Sequence, residues 1–368
     1  MRVSGPRSLY DRMMKIALDA TPLTVPSGGV RRYTEELTKA LAHAFPEDQV
    51  WLLSDQSFIA PCSLSNVKTG HGPRNMLARR WWSWGLQGEI SRLGIDVFHG
   101  TDFAVPYLPL RPSVMTLHDL SPWMDPSWHA ESDRVRRRTP MLLRLGLATM
   151  IITPSEAVKR QAIERFHLPA DRVAAVPLAA NPGFRPAPSL DAPPYLLYVG
   201  TLEPRKNVGL VLDLWRELRR EYPIELILVG RRRSDFPEIP PEPGLQLKDL
   251  TPDEELPRLY SGAVACLYPS YYEGFGLPVL EAMQCGALMI ASSDDSIREV
   301  VGDSAGAIVL DIRDREAWLK ALRAAITQPD EMRAWRERGV TRSAQFSWTR
   351  TAHLTKAVYE QAIQRFRK

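Results

Sequence analysis

With 368 residues, 44% hydrophobic and 24% charged, the chain reads as an ordinary soluble globular protein with room for two domains, each burying its own core. No apolar run approaches the roughly 20 residues that span a bilayer, and the N-terminus lacks a signal peptide's apolar centre. Three cysteines, Cys62, Cys266 and Cys285, are too few and too scattered for a disulfide framework or a zinc site, which fits a reducing cytosol. The formal charge of +4 is uneven: residues 1–183 hold 22 Lys and Arg against 17 Asp and Glu, and residues 184–368 hold 25 against 26.

Residues 1–13 read as a polar leader ahead of the first strand, 15–20. Residues 30–45 have the 3.6 periodicity of an amphipathic helix. Between them lies Gly28-Gly29, and a strand, a double glycine and a helix start together let a backbone approach a ligand closely. The pair does not match Gly-x-Gly-x-x-Gly, which argues against a nicotinamide enzyme. Strand-like runs recur at 50–53, 97–99, 114–117, 151–153 and 173–176, with helical stretches such as 79–93 and 155–166 between them. That alternation predicts a doubly wound parallel sheet. Residues 181–194 hold five prolines and almost no apolar run, so the boundary between domains 1–183 and 184–348 belongs there. The alternation restarts with strands at 195–199, 224–229, near Leu245, 263–268, 288–291 and 307–310, and helices at 208–222 and 253–261. A last helix covers 349–366.

Three stretches carry chemistry. Gly200-Thr201-Leu202-Glu203-Pro204-Arg205-Lys206-Asn207 sets two cations in a loop between a strand and a helix, where an open parallel sheet binds ligands. Arginine grips two phosphate oxygens at once and lysine adds a mobile point charge, although a basic pair in a loop also fits plain solvation. In Pro269-Ser270-Tyr271-Tyr272-Glu273-Gly274-Phe275-Gly276-Leu277-Pro278-Val279-Leu280-Glu281, a glycine-punctuated turn leads into a helix with Pro278 at its first position and Glu281 in its first turn. The turn's amides suit phosphate or sugar oxygens; the same residues also fit a tight turn with a glutamate complementing the helix dipole. Thr116-Leu117-His118-Asp119 ends a strand, and His118 there is either a structural histidine or a group that touches a sugar hydroxyl.

Taken whole, Glu273 and Glu281 with seven residues between them, around Gly-Phe-Gly-Leu-Pro, resemble the signature of the retaining, nucleotide-sugar-dependent glycosyltransferases of family 4. The resemblance implies the α/β GT-B fold, two Rossmann-like doubly wound domains facing a cleft, with the last helix (349–368) crossing back to the first domain. It implies that Arg205 and Lys206 clamp the donor diphosphate, with Gly28 and Gly29 lining the phosphate and acceptor side. Glu281 would hold the ribose, Glu273 and the amides of Phe275, Gly276 and Leu277 the transferred sugar, and His118 would act beside the reacting carbon. Asp119 and His99 also resemble family positions. The chain has no Asp-x-Asp, the pattern that often holds a metal on a diphosphate, so activity without metal or other cofactor is expected. The Gly28-to-Tyr33 and His118-Asp119 segments resemble bacterial mannosyltransferases most, which makes GDP-mannose the first donor to consider and a glycan or lipid-linked acceptor of surface-polysaccharide assembly its partner.

Rival readings are an epimerase or phosphorylase on the same fold, against which the Glu273-to-Glu281 string weighs. A basic nucleic-acid binder is another, but no nucleic-acid motif is present, and no nucleic-acid partner is expected. The basic front half, with Arg79-Arg80-Trp81-Trp82-Ser83-Trp84 and the arginines of 134–144, fits peripheral contact with an anionic membrane at the inner face of a cytoplasmic enzyme; equally, those tryptophans fit a core.

Overall fold

The computed structural model describes residues 13–367 apart from 27, 74–75, 109, 130–131, 189–192, 250 and 304. The expected leader therefore lies almost wholly outside the described residues. The first sheet has seven parallel strands, β1 (Lys15–Asp19), β2 (Gln49–Leu53), β3 (Val67–Thr69), β4 (Val97–Gly100), β5 (Ser113–Thr116), β6 (Met150–Thr153) and β7 (Val173–Ala175), in the order β3-β2-β1-β4-β5-β6-β7. The second has six, β8 (Tyr195–Val199), β9 (Glu225–Val229), β10 (Leu245–Lys248), β11 (Ala265–Tyr268), β12 (Met289–Ser292) and β13 (Ile308–Leu310), in the order β10-β9-β8-β11-β12-β13. The strand order reverses between β1 and β4 and again between β8 and β11. At such reversals the loops leaving the carboxyl ends part and open a crevice.

The helices around the first sheet are α1 (Gly29–Ala44), α2 (Leu86–Leu93), α3 (Ser121–Met124), α4 (Asp133–Arg144) and α5 (Glu156–Phe166). Those of the second half are α6 (Val208–Leu218), α7 (Leu256–Gly262), α8 (Leu277–Gln284), α9 (Asp295–Val301), α10 (Arg315–Thr327), α11 (Arg333–Ser343) and α12 (Trp348–Phe366). Strands β4, β5 and β6 are buried throughout because helices cover both sheet faces, and they read as near-continuous apolar runs for that reason.

Two local readings are corrected, one strand went unread, and the open question of the tryptophans is divided. Strand β3 carried no signal: Val-Lys-Thr at a sheet edge is short and half-exposed. Residues 79–93 are not one α-helix, since a π-helical turn over Trp81–Gly85 precedes α2. Gly85 permits it, because a Cβ there would lie 2.2 Å from the Ala78 carbonyl oxygen. Helix α8 starts at Leu277, so Pro278 is its second residue and Glu281 opens its second turn. The tryptophans of this region divide, Trp81 being core at 4% exposure and Trp84 standing out at 56%.

The last helix packs on the first half of the molecule. Along α12, Thr351 donates to the Pro177 carbonyl (2.7 Å), Lys356 pairs with Asp48 (2.5 Å), and the Tyr359 hydroxyl meets His99 Nδ1 (2.7 Å). His99 is fully buried, its Nε2 on Thr116 Oγ1 (2.7 Å), and burial pushes its pKa down to about 3. It is a neutral structural link under α12.

Candidate active site

From β8 the chain passes Gly200 and Glu203 into a 3-10 turn, Pro204–Lys206, and enters α6 through Asn207 in the left-handed region (φ 53°). The turn folds Arg205 and Lys206 back under the sheet's edge, where they are 7% and 8% exposed. Glu203 orients the first of them, accepting from Arg205 Nη2 (2.7 Å) and from Arg233 Nη1 (2.8 Å). Arg233 escaped notice in the sequence, although Gly230-Arg231-Arg232-Arg233 repeats after β9 the pattern of a strand, a glycine and then cations. The two glycines meet: a Cβ on Gly230 would lie 2.0 Å from the Gly200 carbonyl oxygen.

The neighbouring strand, β11, delivers Glu273 to the same place. Its carboxylate accepts from Lys206 Nζ (2.5 Å) and Arg205 Nη1 (3.1 Å), while Lys206 also donates to the Tyr268 hydroxyl (2.6 Å). Burial by itself would raise the Glu273 carboxyl, but the two cations outweigh it and hold it at about 2. Burial pulls the Lys206 ammonium below its ordinary range, and Glu273 offsets only part of that. The result is an ionised carboxylate between two cations, closed off from water. Past it, Gly276 takes φ 94° as the N-cap of α8, leaving the first amides of that helix at the crevice.

The Glu273 loop sits hard against the first half of the chain. A Cβ on Gly274 would lie 1.9 Å from the His118 carbonyl oxygen, Ser155 Oγ donates to the Gly274 carbonyl (2.8 Å), and the Tyr272 hydroxyl takes the Leu120 amide (3.0 Å) and gives its proton to Gln161 (2.8 Å). His118 itself donates from Nε2 to the Thr101 carbonyl (2.6 Å), which fixes the ring and its tautomer, and Tyr33 packs edge-on against it. Asp119 accepts from the amide and hydroxyl of Ser121 (2.8 and 2.6 Å) and so shapes the turn into α3.

Glu281 has a partner the sequence did not reveal. Arg32, on the first turn of α1, crosses between the halves to pair with it and with Asp253 (2.6 Å), and the Tyr260 hydroxyl donates to its other oxygen (3.1 Å). Burial still lifts the Glu281 carboxyl above its ordinary value, against the pull of Arg32. Gly28 and Gly29, where α1 begins, line a separate open cavity of about 860 Å³ on the first half, and do not touch the Arg205-Lys206-Glu273 cluster.

Two family models cover most of the chain, glycosyltransferase family 4 over residues 27–184 and glycosyl transferases group 1 over residues 184–342. The chain is 32% identical over 381 residues to the O-antigen chain mannosyltransferase B of Escherichia coli, covering 91% of this chain and 96% of that one. Among solved structures it resembles the sucrose-phosphate synthase of Thermosynechococcus elongatus (TM-score 0.75, 21% identity, 95% and 98% of the two chains). It also resembles HepE of Anabaena in complex with UDP and glucose (TM-score 0.71, 16% identity, 94% and 99%). With its two parallel sheets, the two family models over residues 27–342 and a 32% identical relative aligned over 91% of its length, this chain belongs to the family 4 glycosyltransferases and has their GT-B fold.

Proposed function

We propose that the protein transfers mannose from GDP-mannose, with retention of anomeric configuration and without metal, to a glycan or lipid-linked acceptor in surface-polysaccharide assembly. The observation that carries this reading is the convergence of Arg205 and Lys206 on Glu273 at the carboxyl ends of β8 and β11, facing the His118 strand end. The kinship with an O-antigen mannosyltransferase supports the sugar and the pathway class, and the UDP and glucose bound in HepE support a nucleotide sugar as donor.

Breaking a glycosyl-phosphate bond leaves positive charge on the sugar ring and negative charge on the diphosphate. Arg205 and Lys206 meet the second charge, and an arriving diphosphate draws the Lys206 ammonium back toward its ordinary range. Glu273, ionised throughout, accepts sugar hydroxyls, and the amides of Phe275, Gly276 and Leu277 add donors at the α8 terminus. No second carboxylate is assigned to the anomeric carbon, unlike the paired carboxylates of glycosidases, so the leaving phosphate takes the acceptor's proton on the same face of the sugar.

A nucleotide-sugar panel run with chelator present tests donor and metal independence together. GDP-mannose near a hundred times its Kd is expected to stabilise the protein by about 2.7 kcal/mol and to turn over. A response to UDP-sugars alone overturns the donor, and turnover restored only by magnesium or manganese overturns metal independence.

Within this reading Arg32 competes with the nucleotide ribose for Glu281. Arg32→Ala is therefore expected to bind GDP about fivefold more tightly, since a hydrogen bond to a charged group is worth about 1.5–3 kcal/mol when dry and less at a partly open site. Weaker GDP binding in calorimetry would instead make Arg32 a ligand of the donor.

Contact with an anionic bilayer is also part of the proposal. Met76, Leu77 and Trp84 are 83%, 71% and 56% exposed around Arg79 and Arg80. Flotation with vesicles containing anionic lipid is expected to carry the protein up, and Leu77→Ser with Trp84→Ser to reduce it. Equal recovery with neutral vesicles counts against electrostatic docking.

A further inference from the structure

Helix α5 belongs to the first half of the molecule, but its N-terminus is completed by the second. The first amides of an α-helix have no acceptor within the helix itself. Ser155, the N-cap of α5, takes the Val158 amide on its own hydroxyl (3.2 Å). The amides of Glu156 and Ala157 donate instead to the carboxylate of Glu299 on α9 (2.8 and 2.6 Å). Two charge-assisted bonds at the positive end of a helix dipole make this a strong contact between the halves. Glu299 is held ready for it. Arg342 on α11 donates to its carbonyl (2.6 Å), and Asp294 caps the start of α9 through the amides of Ser296 and Ile297 (2.9 and 3.3 Å).

The same two helices meet the loop that carries Glu273. Ser155 has one hydroxyl proton and gives it to the Gly274 carbonyl (2.8 Å), so the Ser296 hydroxyl must donate to Ser155 (3.1 Å). Ser155 and Ser296 are 2% and 1% exposed, which keeps water from replacing either bond. Further along α5, Gln161 takes the Tyr272 proton (2.8 Å). The Glu273 carboxylate is held within the second half by Arg205 and Lys206, whereas the residues on either side of it, Tyr272 and Gly274, are held from the first half by α5. Side chain and backbone of one loop are thus fixed from opposite sides of the crevice, the second only while α5 and α9 stay together.

We propose that Glu299 and Ser155 are positioning residues for sugar transfer: by pinning α5 to α9 they set the backbone from Tyr272 to Gly276 against the first half, without touching the donor themselves. The inference rests on the reading of that loop as the one that holds the transferred sugar. Nucleotide binding does not depend on the two residues, because Arg205, Lys206 and the α8 terminus all belong to the second half.

Glu299→Ala is the first variant, since the side chain is 32% exposed and its removal leaves no cavity in the core. It is expected to lower kcat tenfold or more for the nucleotide sugar that turns over, GDP-mannose by expectation, while the Kd of the matching nucleoside diphosphate stays within twofold in calorimetry. Ser155→Ala is expected to show the same split, and Glu299→Gln, which keeps one of the two acceptor oxygens, to fall between Glu299→Ala and wild type. Amide hydrogen exchange reads the clasp directly: Glu156 and Ala157 exchange tenfold or more faster in Glu299→Ala, and Ala162, in the body of α5, does not change. Arg160→Gln controls for charge alone. Its guanidinium lies 3.8 Å from Glu299 and is 62% exposed, so kcat and exchange are expected to match wild type. Wild-type kcat in both Glu299→Ala and Ser155→Ala, or unchanged exchange at Glu156 and Ala157, overturns the positioning role and leaves the glycosyltransferase reading standing. A fall in kcat with an equal loss of nucleoside diphosphate affinity also overturns it, since the two residues would then support the second half as a whole. Failure of the functional reading looks different: the wild-type protein itself turns over no nucleotide sugar, which sinks both.

Discussion

Replacing Lys206 by alanine is expected to lower kcat/KM for the nucleotide-sugar donor about a hundredfold or more, because removing one preorganised donor to a developing oxyanion costs roughly 3 kcal/mol. The geometry makes this a dry interaction. Lys206 is 8% exposed and held by Glu273 and Tyr268, so it is in place before the substrate arrives. The same change leaves the buried Glu273 carboxylate with Arg205 alone, and breaking a buried pair costs about 3–5 kcal/mol when nothing else compensates. Arg205 at 3.1 Å does compensate, which sets the expected loss of stability at the lower end of that range. A double variant separates the two effects. In Lys206→Met/Glu273→Gln the stranded charge is gone, so the melting temperature recovers while turnover does not. Near-normal turnover of Lys206→Ala with an unchanged donor KM would remove the clamp from the mechanism.

The second large effect is expected from a single methyl group. In Gly274→Ala the new Cβ would stand 1.9 Å from the His118 carbonyl oxygen and 3.0 Å from Asp119 Cβ. The first of these is backbone at the end of a buried strand, so the Glu273 loop must retreat instead. A retreat of roughly 1 Å between catalytic partners costs about a hundredfold in rate, and forcing extra volume into a packed contact costs about 1–3 kcal/mol of stability. Gly209→Ala is the control: it lies in α6 with nothing within 4 Å of the added Cβ, and gains up to about 1 kcal/mol from helix propensity. Steady-state kinetics and thermal unfolding on the two variants decide the matter. Wild-type kcat in Gly274→Ala would mean that the loop and the His118 strand end need not touch for catalysis.

What the chain discloses before folding depends on how local the signal is. Strand β6 is Met-Ile-Ile-Thr, buried on both faces, and its apolar run declares it; β3 is Val-Lys-Thr at an edge, and nothing does. Arg205, Lys206 and Glu273 were legible because each follows a strand within one parallel sheet, and adjacent strands bring such loops together. Arg32 was not, since its partner Glu281 is 249 residues away and on the other sheet's side of the crevice. The surroundings of His99 were hidden for a related reason. Its position at a strand end suits a cleft, but its environment is decided by Tyr359 on a helix 260 residues later. The basic and tryptophan-rich segment split into a core ring and an exposed one because its turn is π-helical, a geometry that periodicity does not announce.

Because α12 lies on the half that contains α1, the polypeptide passes between the two sheets twice, once before β8 and once between α11 and α12. The crossings are stitched together: the Trp348 indole donates to the Ala180 carbonyl (3.1 Å), and Gln284 holds the carbonyls of Asn181 (2.9 Å) and Phe184 (2.6 Å). Two adjacent covalent straps act as a door hinge rather than a tether. They leave one easy rotation about the line through both, and the Arg32–Glu281 pair, its guanidinium 5.7 Å from the Phe184 ring, lies beside that line, so it hardly separates when the halves swing.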